Sequence, residues 1–382
     1  MFLSTALASL AGLSFAIQLW QWFVARLFPA HHRLADGSFQ PAVTVLKPLK
    51  GCDKETAGCL RSWLRQNYDG PIQILFGVKD ASDPVCGVVR ELLATHPEVD
   101  AKQVICGASL GANAKVSTLI QLDRSARHDF VVISDADVWV PADLVTNVVA
   151  PLREPGVGLV SCFYRFADPV TLAMHWEAVA INADFWSQVL QSRSLKPIDF
   201  ALGAVMATRR GELEAIGGFK ALADYLADDF RLGNQVAKAG KTIALCSVIA
   251  NCRPAPMEWR QIWAHQLRWA RTIRVCQPLL YFFSILSNGT LWPLLWLAAA
   301  PGKISACVVA AFLFVRYVTA RANMNRLAEA ATEIPCVWMV WIKDLLQVVL
   351  WALAFTGNRI EWRGEYFRIE AGGKLVRIDP PD

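Results

Sequence analysis

The sequence has little charge, and it lacks the patterns of a zinc-binding or nucleic-acid-binding module. Its 10 cysteines are scattered, with no CxxC pair and no Cys/His cluster at zinc spacing, which argues against a zinc site. No dense run of Lys or Arg occurs and the net charge is only +5, so a nucleic-acid-binding surface is not expected. Only 19% of the 382 residues are charged, whereas 54% are hydrophobic and 15 are Trp. This composition predicts a membrane protein with one sizeable soluble domain.

The basic n-region of a secretory signal peptide is also absent, because no Lys or Arg precedes Arg26. Residues 1–28 are nevertheless apolar enough to cross a membrane, so they are predicted as an uncleaved transmembrane anchor. Arg26 and Arg33 then place the N-terminus outside and residues 29–275 in the cytoplasm by the positive-inside rule. Free thiols fit that reducing compartment, and a Cys52–Cys59 disulfide is the alternative.

Three further membrane segments are predicted within residues 276–356, at 279–300, 304–320 and 335–355. An Asn-Gly pair interrupts the first, and the last carries Lys343 and Asp344 at adjacent positions. These two charges are part of a transport pathway, a paired structural couple, or the mark of an interfacial helix. Three crossings would put the basic tail, residues 357–382, outside, whereas its Lys and Arg residues favour the cytoplasm. One segment is therefore expected to be re-entrant or interfacial.

The soluble part alternates between short apolar runs and helix-like stretches, which predicts a mostly parallel sheet with crossover helices. The predicted strands are residues 42–46, 72–78, 103–106, 130–140, 157–164 and 200–208, and the predicted helices are residues 54–66, 171–191 and 230–239. The fold class is thus α/β, with transmembrane helices at both ends.

The apolar run at residues 130–140 contains two carboxylates one residue apart, Asp135 and Asp137. A strand buried on both faces would bring them to the carboxyl edge of the sheet, where open α/β sheets bind ligands. Two carboxylates there can share a divalent cation whose other ligands are phosphate oxygens. Such a DxD pattern is typical of a nucleotide-sugar site. The alternative is a solvated turn in which Asp137 caps the next helix.

Three more polar residues are expected near the same edge. Asp80 and Asp83 follow the predicted strand 72–78, although they can equally be turn and cap residues. Lys115 follows a glycine-rich loop at the start of a helix, where it can meet a phosphate or a base, or simply lie in solvent.

A second acidic site is the pair Asp228 and Asp229, at the start of the helical pattern of residues 230–239. Capping of a helix start accounts for one carboxylate, but less well for two. If this helix start faces the cleft, one carboxylate can accept the proton of an acceptor hydroxyl as a general base.

Residues 258–274 are expected to form an amphipathic helix at the membrane interface. Trp259 and Trp263 fall on one stripe of this helix, with His265 beside it and arginines interleaved. The Trp rings are predicted to lie at the headgroup level, and this placement leaves room for a role of Arg268 in the reaction.

Six motifs occur in the order seen in the ceramide glucosyltransferases of glycosyltransferase family 21, and the chain resembles that family. They are KPLKG (47–51), DASDP (80–84), the glycine loop with Asn113 and Lys115, SDAD (134–137), ADDF (227–230) and the pair Arg268 and Trp269. The resemblance implies a membrane enzyme of the GT-A fold, related also to bacterial glycosyltransferases of hopanoid biosynthesis. It covers residues 41–275 and, by pattern, the membrane segments.

By position, the resemblance assigns the family's first aspartate to Asp83, its second to Asp135 and its third, the base, to Asp229. Asp80 and Lys115 are implied at the nucleotide end of the donor site.

The family's Q/R-x-x-R-W signature corresponds to residues 265–269. Arg268 and Trp269 match it and are implied in donor binding. His265 stands where the family has Gln or Arg, so the resemblance leaves its role open. The residues expected on the acceptor side, or in support of it, are Asp228, Trp259, Trp263 and His265.

The resemblance implies transfer of a hexose from a UDP-sugar to a hydroxyl of a membrane lipid. The expected hexose is glucose and the expected lipid is ceramide. A single displacement would invert the anomeric carbon, with Asp229 as base and Arg268 adding positive charge. A divalent cation, Mn²⁺ or Mg²⁺, held by Asp135 and Asp137 would neutralise the departing UDP.

The protein is then expected to be a multi-pass protein of a bacterial inner membrane with a cytoplasmic catalytic domain and no nucleic-acid partner. Its oligomeric state is left open. The alternatives are hopanoid N-acetylglucosaminyl transfer, a processive polysaccharide synthase, and a non-enzymatic nucleotide-binding scaffold or transporter.

Overall fold

The computed structural model describes residues 2–34, 37–328, 336–362 and 364–379. Within them the chain forms a mixed α/β domain, a group of apolar helices and a small C-terminal sheet. Two positions used in the topology prediction, Pro335 and Arg363, lie outside the described residues.

The large sheet contains eight strands within the described residues. They are β1 (Val43–Leu49), β2 (Ile72–Val78), β3 (Ala101–Ile105), β4 (Phe130–Ser134), β5 (Val138–Trp139), β6 (Val157–Phe166), β7 (Val205–Arg209) and β8 (Thr242–Cys252). Their order is β3-β2-β1-β4-β7-β6-β8-β5. The neighbours from β3 to β4 pair in parallel, as predicted, whereas β7 is antiparallel to both β4 and β6. The carboxyl ends of β1, β2 and β4 therefore meet at one edge.

Helices cover both faces of this sheet, and β1 is therefore buried along its whole length. After α1 (Phe2–Leu27), the helices of the domain are α2 (Thr56–Leu64), α3 (Val85–Thr95), α4 (Ala114–Asp123), α5 (Leu144–Val149), α6 (Leu172–Val179), α7 (Trp186–Leu195), α8 (Arg210–Ala215), α9 (Asp228–Lys238) and α10 (Trp259–Cys276). One apolar cluster joins α2, α3 and α5 to the sheet. Another joins α4, α8 and α9 to its other face.

Two predicted elements differ from the structure. Residues 171–191 are predicted as one helix. In the structure a π-helical segment, Ala180–Phe185, separates α6 from α7. The predicted strand 200–208 begins only at Val205, because the chain at Gly203 turns past the start of α9. A Cβ atom at Gly203 would lie 2.8 Å from the Oδ2 atom of Asp229, so a larger residue here would displace that carboxylate.

The apolar helices after the domain are α11 (Pro278–Phe283), α12 (Leu291–Ala299), α13 (Lys303–Leu327) and α14 (Val340–Ala354). Among the described residues, α1, α13 and the segment Val337–Ala354 are each long and apolar enough to cross a membrane. The predicted segment 279–300 is broken at its Asn-Gly pair, and its two halves are bent by 57°. It is therefore either a broken span or a re-entrant loop.

Lys343 and Asp344 belong to a buried ion cluster. Arg316 of α13 donates to the carboxylate of Asp184 at 2.9 and 2.7 Å and to that of Asp344 at 2.8 Å. Lys343 completes the cluster through ion pairs with both carboxylates. Because two cations face two anions, each charge has its partner, which favours the structural couple over a transport pathway.

The segment predicted only as a basic tail forms a C-terminal sheet of three antiparallel strands within the described residues. They are β9 (Arg359–Trp362), β10 (Glu365–Ile369) and β11 (Leu375–Arg377). The sheet docks on the domain, because Leu226 N donates to Gly373 O at 3.0 Å and Leu375 N donates to Asp224 O at 2.7 Å. The tail thus lies on the same side of the apolar helices as the domain.

Candidate functional site

Asp135 and Asp137 lie in a turn between two strands rather than at the end of a single strand. The predicted strand 130–140 is wrong as one element, because β4 ends at Ser134 and β5 follows the turn. The physical reason is pairing: β4 lies between β1 and β7, whereas β5 pairs with β8 at the opposite end of the sheet order. The turn still holds both carboxylates at the carboxyl edge of β4.

Lys115 connects the two acidic sites that the sequence places far apart. Its Nζ atom lies 2.8 Å from Asp135 Oδ1 and 3.1 Å from Asp228 Oδ2. The Asn113 side chain caps α4 by accepting a hydrogen bond from Val116 N, which fixes Lys115 in the first turn. Burial would lower the pKa of Lys115, but Asp135 and Asp228 raise it overall, so the side chain stays a cation.

Asp228 and Asp229 begin α9 and face different partners. Asp228 is buried against Lys115, whereas Asp229 Oδ1 accepts a hydrogen bond from Phe230 N at 2.7 Å. Burial, followed by the charge of Asp228, raises the pKa of Asp229 to about 6. This hydrogen bond in the first turn of α9 uses one oxygen of Asp229, and its Oδ2 atom faces Gly203. A carboxylate with a raised pKa in a cleft is suited to proton transfer near neutral pH.

Lys47 is a site residue to which sequence reasoning gave no role. It is fully buried in β1, and its Nζ atom donates to Ser134 Oγ at 3.2 Å and to the carbonyl oxygen of Asp135. The ammonium group also lies 5.0 Å from the centre of the Trp63 ring. Burial lowers the pKa of Lys47 to about 8. Lys47 therefore holds the backbone of the DxD turn through hydrogen bonds. The sequence feature that could have identified it is a lysine inside an otherwise apolar strand.

Asp83 and Asp80 act on nearby backbone in different ways. The Asp83 carboxylate accepts hydrogen bonds from Gly51 N at 3.1 and 3.0 Å, which ties the KPLKG loop to the start of α3. Asp80 is fully exposed and accepts hydrogen bonds from Ser82, which lower its pKa. Both positions thus show the turn and cap contacts of the alternative prediction, beside the edge where a nucleotide would lie.

His265 of α10 is held by a buried carboxylate that the sequence did not single out. Its Nδ1 atom lies 2.6 Å from Glu177 Oε1, and Gln266 Nε2 donates to the same oxygen at 2.7 Å. Glu177 is fully buried, and its second oxygen has no hydrogen-bond partner. The His265 ring packs 4.7 Å from the Trp269 ring, so the residue in place of Gln or Arg orders the signature tryptophan.

The other aromatic residues of α10 face the domain as well as the outside. Trp259 and Trp263 pack at 5.8 and 6.3 Å from the buried ring of Trp176. Trp259 is 40% exposed, whereas Trp263 is only partly exposed. Arg268 is partly buried on the same helix as Trp269. The helix therefore links the apolar helices to the candidate site. Of the two Trp rings predicted at the interface, that of Trp263 mainly packs against the domain.

The C-terminal sheet reaches the candidate site through residues 224–226, which lead directly into α9. Tyr225 forms an antiparallel bridge with Lys374, and its carbonyl oxygen accepts a hydrogen bond from the side chain of Asn113 at 2.8 Å. The carboxylate of Asp224 accepts one from Ala112 N at 3.0 Å. The tail, the glycine loop and the start of α9 thus form one connected unit.

The carboxylates at the edge of β4 fit a divalent cation bound together with a nucleotide. Among the described residues, no group of three His, Cys, Asp or Glu side chains converges on a metal position. Asp135 and Asp137 would therefore be the protein ligands, with phosphate oxygens and water completing the shell. Asp135 is 39% exposed, and burial and the charge of Asp135 raise the pKa of Asp137. A cation would relieve that repulsion.

Comparison with known sequences finds a matching family model and several similar proteins. A family model described as Glycosyl transferase family 21 matches residues 4–375. Ceramide glucosyltransferase 3 of Caenorhabditis elegans is 21% identical over 389 aligned residues, which cover 97% of this chain and 83% of that protein. A ceramide glucosyltransferase of Candida albicans is 33% identical over 130 residues, which cover 31% of this chain and 24% of that protein.

Among solved structures, the mannosyltransferase PcManGT from Pyrobaculum calidifontis, in complex with GDP-Man and Mn²⁺, superposes with a TM-score of 0.55. The sequence identity is 21%, and the superposition covers 91% of this chain and 99% of that chain. At this identity the likeness shows the fold alone. The predicted α/β fold of the GT-A type, with apolar helices at both ends, is thereby confirmed.

Proposed function

The chain belongs to glycosyl transferase family 21, and on that premise we propose that it transfers glucose from UDP-glucose to a hydroxyl of ceramide with inversion of the anomeric carbon. Sugar transfer itself follows from the family. The similarity to ceramide glucosyltransferases supports the choice of acceptor and of sugar. The Mn²⁺ and nucleotide sugar bound by the mannosyltransferase support a cation-assisted nucleotide donor.

The observation that carries this proposal is the position of Lys115 between Asp135 and Asp228. Because one ammonium group contacts both carboxylates, the DxD turn and the start of α9 line the same cleft. A donor bound at Asp135 and Asp137 would then lie beside Asp229. A single displacement requires this arrangement, since the leaving group and the base act on opposite sides of one carbon.

In the proposed reaction Asp229 takes the proton from the lipid hydroxyl. The hydroxyl oxygen forms a bond to the anomeric carbon while the bond from that carbon to the UDP oxygen breaks, so UDP leaves with the bonding electron pair. A pKa of about 6 leaves Asp229 mostly ionised at neutral pH and still basic enough to accept a proton. A bound divalent cation would supply charge neutralisation for the diphosphate.

We assign the remaining site residues to support of the donor and the acceptor. Arg268 adds positive charge on the leaving-group side, and Trp269 forms a wall beside it through its packing on His265 and Phe185. Asp83 fixes the loop at Gly51 on the nucleotide side. Trp259 lies at the membrane side of α10, where a lipid would enter.

The proposal is tested by measuring UDP release from UDP-glucose by the full-length protein, with and without ceramide, in Mn²⁺ or in EDTA. We expect release that requires both ceramide and the cation. Asp135→Asn should abolish cation-dependent UDP binding, whereas Asp69→Asn, an exposed carboxylate elsewhere, should behave as the unmodified protein. UDP release at the same rate with and without ceramide would contradict the assignment. An Asp135→Asn variant that still binds UDP in an EDTA-sensitive way would also contradict it.

A further inference from the structure

Three arginines lie together where α10 meets the C-terminal sheet. Arg271 and Arg274 are about one turn apart on α10, and both reach the backbone that leads into β9. Arg271 donates to the carbonyl oxygen of Arg359, and Arg274 donates to the side chain of Asn358. Arg359 begins β9 and is exposed. We call these three residues the arginine cluster.

The arginine cluster has no bound carboxylate. Within the described residues, none of its members forms an ion pair, and the Nε atoms of Arg271 and Arg274 are buried without a hydrogen-bond partner. Burial and the positive charge of Arg274 lower the pKa of Arg271. Removing part of a cation from water without a neighbouring anion has a cost, so an anionic ligand would stabilise these partly buried arginines. The buried cations of Arg316 and Lys343, by contrast, are matched by two carboxylates.

The surrounding acidic residues leave the surface positive. Arg368 lies opposite Arg359 in the sheet, but it forms its own exposed ion pair with Glu370 at 3.3 Å. Glu361 is two residues after Arg359 and therefore on the same face of β9. Within the described residues Glu361 forms no ion pair with Arg271, Arg274 or Arg359, and one carboxylate against three guanidinium groups leaves a net positive charge.

The arginine cluster also lies beside exposed apolar side chains. Ile273 is 46% exposed, and Leu279 and Leu280 of α11 are 73% and 60% exposed. The guanidinium group of Arg274 lies 5.7 Å from the centre of the Phe355 ring at the end of α14. Cations directly beside an exposed apolar surface that continues into membrane helices are typical of the headgroup level of a bilayer.

We propose that Arg271, Arg274 and Arg359 bind the phosphate group of an anionic membrane phospholipid. Guanidinium groups match phosphate oxygens with paired, charge-assisted hydrogen bonds, and the neighbouring apolar side chains fit the acyl chains. The bound lipid would hold the end of α10, which carries Arg268, against the C-terminal sheet. This site goes beyond the sugar-transfer reaction and does not depend on it.

The test is native mass spectrometry of the full-length protein in detergent, titrated with phosphatidylglycerol or phosphatidylcholine. We expect the double variant Arg271→Gln, Arg274→Gln to bind phosphatidylglycerol about 10-fold more weakly, because two charge-assisted contacts are lost. Phosphatidylcholine binding should not change. Arg260→Gln, an exposed arginine at the other end of α10, is the matched control and should bind as the unmodified protein. Equal phosphatidylglycerol binding by the double variant would overturn the proposal.

Three further measurements distinguish a bound lipid from a nucleotide, from free phosphate and from a purely structural role of the arginines. If UDP displaces phosphatidylglycerol from the unmodified protein, the arginine cluster belongs to the donor site and the proposal is wrong. If inorganic phosphate binds as tightly as phosphatidylglycerol, the ligand is free phosphate rather than a lipid. The variant Arg271→Lys, Arg274→Lys keeps the charge and should retain more phosphatidylglycerol binding than the Gln variant. Equal loss in both, with equal loss of thermal stability, would mean that the arginines only tie α10 to the sheet.

Discussion

At the scale of single residues, the pH dependence of transfer should follow Asp229. Burial and the charge of Asp228 raise the pKa of Asp229 to about 6, and the base must be ionised to act. The turnover number should therefore rise as the pH increases through about 6 and become constant above it. Asp229→Asn should lower kcat by at least ~10²-fold and remove this rise, because a positioned base is lost. Steady-state kinetics across the pH range, together with UDP binding, measure both effects.

Asp228→Asn is the matched variant. It removes the charge that helps to raise the pKa of Asp229, so the rise in kcat should move to lower pH and still be present. Loss of the contact with Lys115 should also reduce kcat, but by less than in Asp229→Asn. If the pH-dependent rise disappears in Asp228→Asn and persists in Asp229→Asn, the base is Asp228.

Sequence reasoning located the carboxylates and Lys115, but neither Lys47, which holds the DxD turn, nor Glu177, which holds His265. Asp135, Asp137, Asp228 and Asp229 follow recognisable strand or helix boundaries. Lys47 and Glu177, in contrast, act through partners that are 87 and 88 positions away in the sequence. Such pairings depend on how the sheet and α10 pack, and no local periodicity encodes them.

At the scale of elements, the C-terminal sheet should be needed for full activity. Phe367 is 2% exposed in the core of this sheet, whose strand β11 adjoins residues 224–226. Phe367→Ala should cost the sheet about 3–5 kcal/mol of packing and loosen the start of α9. We expect a several-fold lower kcat with UDP affinity close to normal, and faster hydrogen exchange in residues 224–230.

Two controls accompany this variant. Phe367→Leu refills most of the space and should restore kcat, whereas Arg377→Ala, which removes an exposed ion pair with Glu365, should leave kcat unchanged. Full turnover in Phe367→Ala despite fast exchange at residues 224–230 would mean that the sheet has no positioning role.

The elements differ in how far the sequence predicted them. The strand predicted at 72–78 has the bounds of β2, because a continuous apolar run between Pro and Gly signals is strong. The C-terminal sheet was missed because its strands are short and alternate buried residues with Arg and Glu. The apolar side chains of these strands become buried only when the sheet docks on the domain, so composition alone predicted a basic tail.

At the scale of the whole molecule, contacts decide between the two predicted positions of the tail. The tail docks on the domain, from which we infer that both lie on one side of the membrane. α14 packs on α10, since Val340 shares one apolar cluster with Ile262 and Ala354 shares another with Ala270. We therefore infer that α14 lies along the interface, and that α1, the bent segment and α13 are the three crossings.

Labelling of cysteines tests this topology. Cys52 is exposed, so a membrane-impermeant thiol reagent should miss it in intact cells and label it after lysis. Cys106 and Cys162 are buried, and they are uninformative in both states. Gly302→Cys, in the turn between α12 and α13, is the opposite control and should be labelled in intact cells. Labelling of Cys52 without lysis would reverse the orientation.

The central claim is that the two acidic sites joined by Lys115 transfer one sugar to a membrane lipid. The most direct measurement is mass spectrometry of lipids from membranes that contain the chain and are supplied with UDP-glucose, UDP-N-acetylglucosamine or neither. We expect ceramide that carries one hexose, formed only with UDP-glucose and absent from membranes containing Asp229→Asn at equal protein level. Unchanged product with Asp229→Asn, a polymeric product, or transfer only from UDP-N-acetylglucosamine would contradict the account.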